Sequence, residues 1–215
     1  MPASRPLSTA TQPSTRKGQA TRERLLEQAR RVALATGGHI EVAAVAEAAG
    51  VVPSLVNRYF GSKAGLVGAL VDDFFDRFHA RVLALDLEEH GDWATHERMR
   101  LEAGVRFHYA EPFATVLYGP LAREPAVARR ETDRIAAVVE RAARSIRRGQ
   151  RRGELPAGID PGLAGAAMFG AMRLVMVHAL TRKPRPSPER VIEVLWRQVA
   201  AAVGIDADAG RPGSA

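Results

Sequence analysis

Apolar residues recur at every third or fourth position along most of the chain, and this spacing constrains the fold more than any other feature of the sequence. It is typical of amphipathic α-helices, whose buried face repeats about every 3.6 residues. The sequence contains no alternating apolar and polar run bounded by turn residues, the pattern that indicates β-strands. The spacing therefore predicts an all-α protein of about nine helices.

Proline and capping residues predict where several of these helices begin. Asp160 with Pro161, and Ser187 with Pro188, each place an N-cap side chain before a proline at the first helical position. They predict the last two helices over roughly 161–181 and 188–203. In the first half of the chain, Ser62 is expected to cap a long fourth helix in the same way.

Charge is unevenly distributed and indicates how the chain is divided. Residues 1–66 carry nine basic and four acidic side chains, whereas residues 67–120 carry five basic and ten acidic ones. A basic unit followed by an acidic one predicts two domains of different character. The first 20 residues are rich in Ser, Thr, Pro and Ala without helical spacing, which is typical of disorder. The predicted division is a disordered basic arm at 1–20, a basic domain at 21–66, a second domain, acidic and then mixed in charge, at 67–205, and a disordered tail at 206–215.

Composition and missing motifs exclude several classes of protein. The 215-residue chain has no cysteine, so disulfides, cysteine-ligated metals and thiol catalysis are excluded. We expect no apolar run to approach the roughly 18 residues of a membrane span. The first residues lack the apolar core of a secretory signal, so we expect a cytoplasmic protein without membrane contact. The zincin, phosphate-loop, dinucleotide and serine-hydrolase motifs are all missing. We therefore expect no enzyme activity, metal or cofactor.

Residues 42–60 have the pattern of a helix, a short turn with glycine and a second helix. Such a pattern predicts either a DNA-binding helix-turn-helix or an ordinary helical hairpin. The Ala49-Gly50-Val51 turn, followed at the right spacing by Phe60-Gly61-Ser62-Lys63, resembles the DNA-binding signature of the TetR family of bacterial regulators. The resemblance is close from Thr21 to Leu66, and beyond Leu66 it extends only to length and helix count.

The resemblance implies that the third helix enters the major groove with its N-terminal residues facing the bases. Two residues depart from the family pattern: Val52 replaces the turn serine, which removes a helix cap, and Asn57 replaces a tyrosine. The glutamate usual after Ser-Lys is also missing. Val56 and Phe60 are expected to be core anchors, and a merely solvated Arg58 remains an alternative. The predicted DNA-binding residues are Val52, Pro53, Ser54, Leu55, Asn57, Arg58, Tyr59 and Lys63.

These side chains are assigned different roles by their chemistry. Leu55 is expected to touch a thymine methyl, and Asn57 to pair with an adenine edge. The Tyr59 hydroxyl is expected to donate to a phosphate. Lys63, at the start of the fourth helix, adds positive charge where phosphates bind well.

For the second domain, the resemblance implies a small-molecule effector and a homodimer. Apolar faces on the last two helices suit pairing between copies, and ordinary intrachain core is the alternative. A set of aromatic, methionine and histidine side chains forms a candidate effector pocket, again with plain core as the alternative. The candidate pocket residues are Phe107, His108, Phe113, Tyr118, Met168, Met172, Met176 and His178.

Together these features predict a homodimeric, ligand-responsive transcriptional regulator, more specifically a repressor that binds an inverted-repeat operator in double-stranded DNA. Two alternatives belong to other classes. A non-specific nucleoid-type DNA-binding protein would be basic throughout, which residues 67–120 are not. An all-helical enzyme without a recognisable motif is the other alternative, and no constellation of residues supports it.

Overall fold

A computed structural model describes residues 15–85 and 91–210, except for the side chains of residues 126 and 129–133. These ranges contain nine α-helices and no strand, so the predicted all-α class is confirmed. A π-helical turn, His79–Leu83, continues the fourth helix, and a short 3-10 helix covers Pro120–Arg123. The α-helices are α1 (Arg16–Ala35), α2 (Val42–Ala48), α3 (Pro53–Phe60), α4 (Lys63–Phe78), α5 (Trp93–Ala110), α6 (Phe113–Tyr118), α7 (Pro125–Arg151), α8 (Pro161–Thr181) and α9 (Pro188–Val203).

Side-chain caps begin several helices as the sequence predicts. The Asp160 Oδ1 atom accepts from the Leu163 backbone N–H at 2.9 Å, and the Ser187 hydroxyl accepts from that of Arg190 at 3.2 Å. The Ser62 hydroxyl caps α4 by accepting from the Gly65 N–H at 3.1 Å. Each bond satisfies one of the backbone donors that the first turn of a helix leaves without a partner.

The chain forms two compact units, and their boundary differs from the predicted one. The first unit extends to Phe75 and also includes Val116–Arg130, while the second comprises Asp76–Thr115 and Glu131–Ala215. The first unit continues past residue 66 because α4 is one of its core helices. The Arg30 guanidinium of α1 lies 2.6 Å from the Asp73 carboxylate of α4.

Both segments that were predicted to be disordered include residues that the structure describes in a helix or in turns. Helix α1 begins at Arg16 because the Thr15 hydroxyl accepts from the Gly18 N–H at 3.1 Å. The last five residues of the predicted 1–20 arm are therefore helical, and its residues 1–14 lie outside the described chain. In the tail, residues 206–210 form turns, and the Ala207 carbonyl accepts from the Trp196 indole N–H at 2.8 Å. Residues 211–215 lie outside the description.

Helix α9 is a core helix of the second unit and packs on α5 and α8. Its apolar face, which the sequence assigned to pairing between copies, is buried within the chain. The apolar residues of this face are Val191, Ile192, Val194, Leu195 and Val199. The alternative of ordinary core is correct for four of these five, and Val194 is half-buried.

Helix α8 has apolar residues on two sides, and this makes the helix as a whole unusually apolar for its length. By length and composition α8 is apolar enough to cross a membrane, and 33% of its most apolar stretch is buried within the chain. The expectation that no apolar run reaches that length is therefore wrong. One such helix is weak support for a membrane protein, because core helices pass the same test. Ala164, Gly165 and Met168 are buried on one side of α8.

The other side of α8 exposes apolar residues at helical spacing. Leu163 is 74% exposed and Leu174 is 69% exposed. A side chain added at Gly170 would meet nothing within 4 Å, so this position faces open space. We call the exposed or half-buried set the α8 stripe. It consists of Leu163, Ala166, Ala167, Gly170, Ala171 and Leu174.

Candidate nucleic-acid interface

Helices α2 and α3 pack against each other across a tight turn. Gly50 adopts the left-handed backbone conformation with φ 63°, which glycine tolerates without strain. The Val51 N–H donates to the Ala46 carbonyl at 2.9 Å and closes the turn. Val45 and Val56 are fully buried, one from each helix. The predicted helix-turn-helix therefore forms.

The buried and exposed faces of α3 agree with the roles that the sequence suggested. Val56 and Phe60 are the two buried residues of the helix, and Pro53 is its first residue. The rest of α3 has an outward face that packing does not use. Of the predicted DNA-binding residues, Val52, Pro53, Ser54, Asn57 and Arg58 are exposed, and Leu55, Tyr59 and Lys63 are half-buried.

The two ends of α3 are held differently. Val52 is the N-cap and makes no side-chain hydrogen bond to the helix, as expected for a valine at this position. At the other end, Gly61 has φ 76° and its N–H donates to the Asn57 carbonyl at 2.7 Å. The Arg22 guanidinium of α1 stacks over the Phe60 ring, 5.4 Å from its centroid. The C-terminal end of α3 is thus tied to α1, and the N-terminal end is left for a partner.

Lys63 has a protein partner that sequence reasoning missed. Its ammonium lies 2.8 Å from the Glu41 carboxylate, and His39 Nε2 lies 3.3 Å from the same carboxylate oxygen. The hydrogen bond and positive charge of Lys63 hold the pKa of Glu41 below its usual range. Glu41 is therefore ionised at neutral pH and competes with any phosphate for Lys63. Because 22 residues separate the pair, no local pattern indicates it.

A model of the tetR family of bacterial regulatory proteins matches residues 25–70, which contain α2, α3 and their turn. This match shows a TetR-type DNA-binding domain in this part of the chain. The match covers the whole recognition helix and the start of α4, where Lys63 lies. No curated protein sequence matches the chain.

Solved TetR-family structures share the fold over nearly their full length. SmeT, the repressor of the Stenotrophomonas maltophilia multidrug efflux pump SmeDEF, has a TM-score of 0.74 at 17% identity, with 92% of this chain and 96% of that chain covered. NalD, the secondary repressor of the MexAB-OprM multidrug efflux pump in Pseudomonas aeruginosa, has a TM-score of 0.68 at 18% identity, with 86% of this chain and 98% of that chain covered. A TetR-family regulator from Rhodococcus sp. has a TM-score of 0.65 at 23% identity, with 86% of this chain and 99% of that chain covered. At these identities the likeness to the solved structures is one of fold.

The structure places the eight candidate pocket residues in different surroundings. Tyr118 belongs to the first unit, where its ring stands edge-on to Phe74 with 6.4 Å between centroids. His178 is exposed on α8, because the last turn of that helix faces solvent at this position. The effector pocket stays a prediction for all eight residues. The remaining residues of the second unit are buried or, for Met172, half-buried; they are Phe107, His108, Phe113, Met168, Met172 and Met176.

His108 is a buried polar group among aromatic rings in the second unit. Its imidazole lies 5.2 Å from the Phe78 ring and 5.7 Å from the Phe107 ring, centroid to centroid. The Nδ1 atom lies 2.7 Å from the Gly104 carbonyl, so this nitrogen carries the proton and donates. Burial lowers the pKa of His108 to about 4. The imidazole is therefore neutral at physiological pH.

Proposed function

We propose that the chain is a cytoplasmic, homodimeric repressor that reads an inverted-repeat operator and releases it when a small effector binds. The observation that carries this proposal is the outward face of α3 in a TetR-type domain, five of whose predicted DNA-binding residues are exposed. One helix-turn-helix contacts few base pairs, and dimers that read two half-sites are the usual solution.

The α8 stripe supports pairing between two copies of the chain. Its largest members, Leu163 and Leu174, lie eleven residues apart, three helical turns, and therefore project from the same side of α8. Ala166, Ala167 and Gly170 lie between them and let a second helix approach closely. A contiguous exposed apolar face of this kind is typical of a protein–protein interface. Because Val191, Ile192 and the other α9 core residues are buried, α9 contributes to such an interface only through its outward side.

Repression is the regulatory direction favoured by the comparisons. SmeT and NalD, two proteins of similar fold, are repressors of multidrug efflux pumps. A repressor acts by occupying its operator, which requires only binding. A basic first unit and an exposed recognition helix are sufficient for that role.

An effector site in the second unit is supported by the six candidate residues that lie there, which are buried or half-buried. Apolar sites with a small number of polar groups are typical of small-molecule pockets. If effector and operator favour different conformations of the dimer, each must weaken the affinity of the other by the same factor. A candidate effector that binds the protein–DNA complex and the free protein with equal affinity would contradict this mechanism.

Selection of binding sites from random duplex DNA, with purified protein at near-physiological salt, tests the proposal. Enrichment of an inverted repeat is the expected result. Binding without enrichment would instead support the non-specific nucleoid-type alternative, and would mean that valine at 52 and asparagine at 57 have removed sequence readout. The deciding quantity is the ratio of specific to non-specific affinity, measured at one salt concentration.

A further inference from the structure

The leading end of α3, residues 52–55, exposes mainly apolar side chains. Val52 is 63% exposed, whereas Leu34, the next most exposed large apolar side chain described in the first unit, is at 38%. Pro53 is also exposed and has no backbone N–H to donate. Leu55 is apolar and half-buried. Ser54 therefore has the one polar side chain among residues 52–55.

Val52 occupies a position where valine has no structural advantage. It is the N-cap of α3 and makes no capping hydrogen bond, although Ser, Thr, Asp and Asn are the residues that stabilise this position. Its side chain is not used in the core either, because most of its surface is exposed. A single exposed apolar side chain is common on proteins. This one lies where the recognition helix first meets the bases.

The chemistry of these side chains selects one feature of the major groove. Valine and proline side chains neither donate nor accept hydrogen bonds, so they cannot read the polar edges of guanine, cytosine or adenine. The 5-methyl group of thymine is the apolar group that the major groove presents. Removing a methyl from such a contact exposes apolar surface, which typically changes affinity by about fourfold.

We propose that the leading end of α3 reads thymine through its 5-methyl group, with Val52 as the principal contact. Asn57 and Arg58, on the next turn, are left to read hydrogen-bonding edges. The inference rests on the proposed function and deepens it by assigning a base to one end of the recognition helix. It predicts at least one A·T pair required in every half-site.

The test replaces each thymine of the selected half-site by deoxyuridine, one at a time, and measures the affinity of the full-length protein by fluorescence anisotropy. Deoxyuridine keeps every hydrogen-bonding group of thymine and lacks only the methyl. We expect an affinity loss of about three- to tenfold at one or two positions, and no loss elsewhere. At those positions, 5-bromouracil, whose bromine is close to a methyl group in size, is expected to restore affinity.

Variants of Val52 identify the residue responsible. Val52→Ser is expected to remove the discrimination between thymine and deoxyuridine, while Val52→Thr, which keeps one methyl, retains part of it. Both add a hydroxyl at the N-cap, so their melting temperatures should be no lower than that of the unmodified protein. Leu34→Ser, a matched exposed position on α1, is expected to leave the discrimination unchanged.

The outcomes separate this inference from the proposed function. If selection enriches no sequence, both fail. If a half-site is enriched but contains no required A·T pair, only the methyl-reading inference fails. Deoxyuridine substitution without effect at every position, or discrimination unchanged in Val52→Ser, would overturn it in the same way.

Discussion

Helices α3 and α8 each expose a face that packing within the chain does not use, and the two faces have different chemistry. On α3, two buried anchors hold an eight-residue helix whose outward side chains include Ser54, Asn57 and Arg58. On α8, the outward side is an apolar stripe that ends in Leu163 and Leu174. The difference indicates the partner: groups that hydrogen-bond suit base edges and phosphates, whereas aliphatic groups suit another apolar surface.

A charge in the α8 stripe tests that side of the comparison and should have the largest effect. Leu174→Asp buries a carboxylate in the proposed interface, so we expect the dimer to dissociate. Operator affinity should then fall by about 100-fold or more, because the two half-sites are no longer bound by one molecule. Sedimentation velocity and fluorescence anisotropy measure the two effects. Met99→Asp, on α5 and 37% exposed, is the control. A Leu174→Asp protein that remains dimeric would show that the α8 stripe is not the interface between the two copies.

A truncation on the outward face of α3 tests the other side. Asn57→Ala should cost about 1–3 kcal/mol of operator binding and relax the preference at one base position, because a bidentate amide–adenine contact is lost. The measurement is a panel of operators carrying each base at each position of the half-site. An Asn57→Ala protein with the unmodified sequence preference would remove this residue from base readout.

The second unit contains a titratable group whose effect should appear in stability rather than in DNA contact. Burial lowers the pKa of His108 to about 4, while in the unfolded chain it is about 6.5. Between these values the unfolded state binds more protons, so stability is present above pH 6.5 and is lost as pH falls toward 4. From pH 7 to pH 5 this residue alone should reduce the free energy of unfolding by about 2 kcal/mol.

His108→Asn isolates that contribution, because asparagine keeps an amide donor near the Gly104 carbonyl without titrating. Urea unfolding at pH 5 and pH 7, at one protein concentration, measures the difference for both proteins. The variant should lose about 2 kcal/mol less than the unmodified chain over this range. Equal losses in the two proteins would mean that His108 does not remain neutral when folded.

The smallest expected effect comes from Glu41, the acidic group that pairs with Lys63 beside the proposed DNA-binding surface. Glu41→Gln frees Lys63 for phosphate and should tighten DNA binding by up to about fivefold, the range of an exposed ion pair. The gain should disappear when Lys63 is also replaced by alanine. Lys63→Ala alone should weaken binding to all sequences. It should also make the slope of log affinity against log salt concentration shallower by about one. Glu47→Gln, at an exposed position of α2, is the control for removing a carboxylate. An equal gain from both glutamine variants would show that the Glu41–Lys63 pair has no special role.

Features set by neighbouring residues were predictable from the sequence, and features set by distant contacts were not. The caps at Ser62, Asp160 and Ser187 act within three residues, so local pattern found them. The anchors Val56 and Phe60 followed from helical spacing. The Glu41–Lys63 pair and the bond from Trp196 to Ala207 depend on tertiary packing, and neither leaves a local signal.

Helical spacing also fails to identify which partner covers an apolar face. The α9 residues have the same pattern whether they pack on α5 or on a second copy, so they were assigned to the wrong partner. Spacing could not place His178 or Tyr118 relative to the other pocket candidates for the same reason. In α8, the apolar residues lie on both sides of the helix, and the length of this apolar segment was underestimated from the sequence.

The spacing between half-sites tests the central claim most directly, because a dimer holds its two α3 helices at a fixed separation. Inserting five base pairs between the selected half-sites rotates one of them by about half a helical turn. For this insertion the account predicts that affinity falls by about 100-fold, toward that of a single half-site. An insertion of ten or eleven base pairs returns the half-sites to one face of the duplex but leaves them too far apart to restore full affinity. Affinity unchanged by the five-base-pair insertion would contradict the claim that one homodimer reads both half-sites.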